Sequence, residues 1–142
     1  MKRVLIFTTL FFLVLGTLPA SAITWGEPDT HHANVGAIMV RFLDWDVICS
    51  GTLIDQELVL TAGHCTQFIQ ALLDGGWIIM DDVRVTFDQD ASSASTLLEV
   101  DDIITHPDYK ANVRSNPHDV GVLVLLEPVV GIDLRLCQMR DS

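Results

Sequence analysis

Apolar residues in this chain come in short runs of four to eight, several of them alternating with polar positions, and turn residues separate the runs. That is the pattern of half-buried strands rather than of long helices. Val35 to Phe42 reads as a strand, with Asp44-Trp45-Asp46 as the turn that follows. Val47 to Ile54, with Gly51 inside it, and Leu58 to Thr61 read as the next two. Thr66 to Leu73 is the one convincing helical segment, with Phe68, Ile69 and Leu72 expected on one face and Gly75-Gly76 ending it. Trp77 to Met80, Val83 to Phe87, Leu97 to Thr105 and Val120 to Leu126 complete the strands. A serine-rich loop, Asp88 to Thr96, and a longer connection, His106 to Asn116, lie between them. Strands recurring with turn signals at this spacing predict an all-β fold, a single antiparallel barrel.

The first 22 residues stand outside this pattern. Lys2-Arg3 form a short positive region, Val4 to Leu15 is apolar except for two threonines, and Ala20-Ser21-Ala22 is a small-x-small cleavage site. Residues 1–22 are therefore expected to be a secretory signal peptide, and the protein to be exported, extracellular or periplasmic. The apolar stretch is short for a membrane span, which takes about 20 residues. The remainder, residues 23–142, suffices for one domain with a real core.

Charge narrows the partners. The whole chain carries −11; the leader holds two of the eight basic residues and none of the nineteen acidic ones, leaving −13 after cleavage. Such a surface repels nucleic acid and anionic membrane and favours cationic substrates, although it serves solubility equally well. The three cysteines, Cys49, Cys65 and Cys137, imply one disulfide and one remainder in an exported chain.

The candidate chemistry sits in two segments. Leu58-Val59-Leu60-Thr61-Ala62-Gly63-His64-Cys65 places a histidine beside a cysteine, and His118-Asp119-Val120-Gly121-Val122-Leu123 leads an aspartate into an apolar run. With Cys49-Ser50-Gly51-Thr52-Leu53-Ile54 upstream, these segments in this order resemble the first half of a trypsin-like serine protease of the chymotrypsin family. The resemblance covers residues 23–136 and implies an antiparallel Greek-key β-barrel, the first of the family's two. It implies that His64 is the general base and Asp119 the residue that orients it, and that Cys49 pairs with Cys65. In Ser-His-Asp catalysis a neutral histidine takes the serine proton, while the aspartate fixes its tautomer and stabilises the imidazolium.

Ile23-Thr24-Trp25-Gly26 resembles the family's mature N-terminus, 41 residues before the base, so cleavage after Ala22 would expose Ile23 as a candidate activating amino group. His106-Pro107-Asp108-Tyr109 resembles a structural loop of the family. Asp88 and Asp90 lie where some relatives bind calcium, but two carboxylates do not make the six to eight oxygens calcium takes. A zinc site would want closely spaced His and Cys ligands, but Cys65 is expected in a disulfide and His31-His32 are adjacent in a loop. No metal and no cofactor is expected.

The family's Gly-Asp-Ser-Gly-Gly nucleophile segment does not occur in these residues, and Ser142 follows Asp119 by only 23 positions. The expectation is thus a truncated or partial protease chain, inactive as written, whose polypeptide substrate or complementing second-barrel chain would matter only once a second barrel is supplied. A protease-like binding module without catalysis is the alternative.

Overall fold

The computed structural model describes residues 31–111 and 117–134. Six strands are present among them: β1 (Val35–Arg41), β2 (Trp45–Asp55), β3 (Leu58–Thr61), β4 (Val83–Thr86), β5 (Leu98–Thr105) and β6 (Gly121–Leu125). One helix, α1 (Gly63–Asp74), joins β3 to β4. The strands close into an antiparallel barrel in the order β1-β2-β3-β6-β5-β4. β1, β2 and β3 follow one another as hairpins, and the α1 connection returns β4 to the free side of β1, which is the Greek-key path.

The barrel is filled from alternate positions, as a small barrel must be. Ile38 and Val40 of β1, Leu53 of β2, Val59 of β3, Val83 and Val85 of β4, and Leu123 and Leu125 of β6 form the buried cluster. β5 departs from strict alternation: Val100 and Ile103 are both buried, three residues apart. Its register against β6 shifts between Val100 and Asp102, and the extra residue restores the inward direction. A disulfide joins Cys49 of β2 to Cys65 of α1, with Cα atoms 6.2 Å apart. Closing a loop of that length contributes about 3 kcal/mol in the chain-entropy account.

The expected strands stand, with ends adjusted by one or two residues, except for one. Trp77 to Met80 is not a strand. The Gly76 and Trp77 amides turn back to the Leu73 and Leu72 carbonyls at the end of α1, and Met80–Asp82 forms a 3-10 turn closed by Asp82, whose carboxylate accepts the Ile79 amide. Local hydrogen bonds take the donors that a ladder would have needed, and Trp77 remains 77% exposed.

The helix also differs from expectation. It begins three residues before Thr66; Ile69 and Leu72 turn to the core as expected, joined by Cys65 and Thr66, whereas Phe68 is 49% exposed. Residues 65, 69 and 72 follow the helical three-to-four spacing, so the disulfide-bonded Cys65 lies on the same stripe as the core residues Ile69 and Leu72, and Phe68 falls off it. Truncating the two neighbouring apolar residues should therefore have unequal effects. Ile69→Ala is expected to lower the unfolding free energy by about 2–5 kcal/mol and Phe68→Ala by less than about 1 kcal/mol, measured by urea denaturation.

Candidate active site

The site forms where the end of β3 meets the start of β6. Thr61, the last residue of β3, pairs with Gly121, the first of β6, and its hydroxyl donates to the Ser50 carbonyl of β2 at 2.8 Å. Ala62 is extended, and the chain enters α1 at Gly63. At this seam the backbones approach too closely for side chains. A Cβ on Gly63 would lie 3.0 Å from both the amide nitrogen and the carbonyl oxygen of Val120 and 3.1 Å from the Tyr109 ring. A Cβ on Gly121 would overlap the Thr66 hydroxyl. Thr66 is fully buried there; its Oγ1 donates to the Gly63 carbonyl at 3.0 Å and accepts from Thr105 Oγ1 of β5 at 2.8 Å.

That close approach brings Asp119 to the first turn of α1. Ala62 offers no side-chain cap, so the opening amides of the helix need acceptors from elsewhere. Asp119 Oδ1 accepts the His64 backbone N–H at 2.7 Å, and Asp119 Oδ2 lies 2.9 Å from His64 Nδ1. The aspartate thus caps the helix from outside and holds the ring of the same residue. An ionised carboxylate only accepts, so Nδ1 carries the proton and the Nε2 lone pair is left to act as a base. Hydrogen bonds from the His64 ring, then from its amide, hold the Asp119 carboxyl below its ordinary value of 3.8. The positive end of the helix acts in the same direction. In this barrel the His64 and Asp119 side chains are 61% and 38% exposed, so solvent screens their attraction.

Cys65, next to the histidine, is anchored by its disulfide to β2. His64 is therefore fixed on both sides, by Gly63 against Val120 and by Cys65 against Cys49. His106-Pro107-Asp108-Tyr109 forms a turn, with the Tyr109 amide donating to the His106 carbonyl at 2.9 Å and the Tyr109 ring beside Gly63. His118, beside the aspartate, stacks on the His106 ring with centroids 4.8 Å apart.

The serines of the 88–96 loop are committed to it. Ser92 and Ser93 donate to Asp90, and Ser95 with the Thr96 amide donates to Asp88. These bonds hold both carboxyls below their ordinary value. Ser50 lies on β2. Residues 1–22, Ile23, Cys137 and Ser142 lie outside the described residues.

Sequence reasoning missed Gly63, Gly121 and Thr66 as positioning residues. The glycines stand inside the two motifs, yet nothing in either motif says that one packs against the other's strand.

The depressed Asp119 carboxyl gives a signed pH dependence. Its contribution to stability is present above the ordinary value of 3.8 and is lost as the pH falls through its lower folded value. Asp119→Asn should be less stable than the parent at neutral pH, and the difference should shrink below that value. Thermal unfolding of both proteins through the acid range measures it.

With the geometry established, comparison with known proteins is direct. The Trypsin family model matches residues 23–135. A venom serine protease of Bombus ignitus, Bi-VSP, is 31% identical over 81 residues, covering 57% of this chain and 21% of that protein. The venom peptide isomerase heavy chain of Agelenopsis aperta is 28% identical over 86 residues, covering 61% of this chain and 33% of its own. A solved structure of kallikrein-related peptidase 10 in complex with Zn2+ aligns over 70% of this chain and 38% of its own, at 24% identity and a TM-score of 0.47. The chain thus spans about a fifth to a third of the length of these curated relatives. The extent of the family match, taken with both motifs in their family order, places this chain in the trypsin family.

Proposed function

We propose that this barrel supplies the base and the orienting carboxylate of a secreted serine endopeptidase, acting on polypeptides once a second barrel provides the rest of the site. The observation that carries the reading is the double contact of Asp119 with the amide and ring of His64, which leaves Nε2 as the basic nitrogen. The second barrel, further along the same protein or on a separate chain, would contribute the nucleophilic serine, the oxyanion hole and the specificity pocket.

In that assembly His64 Nε2 takes the proton from the serine oxygen as it attacks the peptide carbonyl. Asp119 stabilises the imidazolium that forms, and His64 returns the proton to the leaving amine. Water then hydrolyses the acyl-enzyme with His64 again as base. The acidic surface favours cationic segments of a substrate, by long-range attraction. The signal-like leader and the venom proteins among the relatives support an extracellular setting. No helix among the described residues is long and apolar enough to cross a membrane.

A serine-directed fluorophosphonate tests the reading. Material from the natural source that contains this barrel should be labelled on a serine lying in a second barrel, and the 142-residue chain alone should not be labelled. Natural material that is folded and never labels would favour a binding module. In a labelled two-barrel enzyme, His64→Ala should lower kcat by about 10⁶-fold and Asp119→Asn by about 10⁴-fold, with KM little changed. N-terminal sequencing of the same material should begin at Ile23; any other start removes Ile23 from the activation scheme.

A further inference from the structure

Two sets of metal-ligating side chains occur among the described residues. Cys49, His64 and Cys65 form one, but both sulfurs are consumed in the disulfide. The other is His106, Asp108 and His118, whose ligand atoms all lie within 4.8 Å of one another. It belongs to neither the base nor its orienter, and the sequence hides it, because the two histidines stand twelve positions apart.

The backbone holds this set in place from two directions. His106 follows β5 and its amide donates to the Val120 carbonyl at 3.0 Å, while the Val120 amide donates to the His118 carbonyl at 2.8 Å. The rings lie nearly parallel, at 13°. The Tyr109 amide returns to the His106 carbonyl and folds Asp108 back toward the ring.

The tautomer of His106 follows from geometry. The Asp108 amide donates to His106 Nδ1 at 3.2 Å. An amide only donates, so Nδ1 carries a lone pair and the ring proton resides on Nε2. A neutral imidazole with its lone pair turned toward a carboxylate-bearing turn is a ligand in the right protonation state. The 3.2 Å contact is at the long limit of a hydrogen bond and is readily exchanged for a metal bond.

We propose that His106, Asp108 and His118 bind a borderline divalent transition ion of the Zn2+ type, with water completing the shell. Two imidazoles and one carboxylate suit zinc, whereas calcium and magnesium take oxygen ligands. In a tetrahedral shell with bonds of about 2.0–2.1 Å, neighbouring ligand atoms lie about 3.4 Å apart. The set therefore needs to contract by no more than about 1.5 Å, which side-chain rotation of the exposed Asp108 and the half-buried histidines can supply. The bound ion would clamp the exit of β5 to the segment entering β6, one residue before Asp119.

Titration of the purified full-length protein with ZnCl2 by calorimetry, set against CaCl2 and MgCl2, tests this. One zinc site is expected, with little response to calcium or magnesium. His106→Ala and His118→Ala should each weaken zinc binding by at least about tenfold, and the His31→Ala/His32→Ala double variant should match the parent. Because a histidine variant could also disturb the turn, imidazole 1H–15N spectra of the unaltered protein provide an independent readout. Substoichiometric zinc should move the His106 and His118 resonances first. Absence of zinc binding, equal binding by the His106 and His118 variants, or zinc shifts confined to His31 and His32 would overturn the proposal.

Discussion

The site depends on how closely the first turn of α1 approaches the beginning of β6. Gly63 lies against the Val120 backbone and Gly121 against the Thr66 side chain, so neither glycine leaves room for a side chain of its own without a shift at the seam. Any larger side chain at either glycine would push the helix away from the strand. Asp119 would then lose its reach to the helix start. The buried Thr66–Thr105 hydrogen bond ties the same seam to β5, so three neighbouring elements share one constraint.

One carboxylate answers two requirements at that seam. A helix beginning at Gly63 without a side-chain cap leaves amides short of acceptors, and Asp119 accepts one of them. Its second oxygen then meets the ring of the same residue, which fixes the proton on Nδ1. Helix capping and ring orientation are therefore coupled, and Cys65 anchors the arrangement to β2 through the disulfide. The exposure of the pair is a physical constraint of its own. Charged hydrogen bonds strengthen as water is excluded, so the proposed second barrel would raise the value of contacts already in place.

Much of this was legible in the sequence. The short, turn-bounded apolar runs of β1, β3, β4 and β6 reported strands, since each is too short for a helix and is flanked by turn residues. Trp77 to Met80 misled because apolar content does not reveal that helix-terminal and 3-10 hydrogen bonds consume the local amides. Phe68 misled because it borders the stripe of Cys65, Ile69 and Leu72 that faces the core, and a short helical window does not separate the two. At the site, His64 and Asp119 were readable from the motifs that surround them. The seam of Gly63, Gly121 and Thr66, and the stack of His106 on His118, were not, because each exists only once β3, β5 and β6 are side by side.

Asp119 holds His64 as the Nδ1–H tautomer, with Nε2 free to accept a proton. Long-range 1H–15N correlation spectra of the neutral His64 imidazole, recorded for the parent and Asp119→Asn, measure it most directly. A protonated Nδ1 and an unprotonated Nε2 are expected in the parent, with the preference lost in the variant. An Nε2–H tautomer in the parent, or an unchanged pattern in the variant, would contradict it.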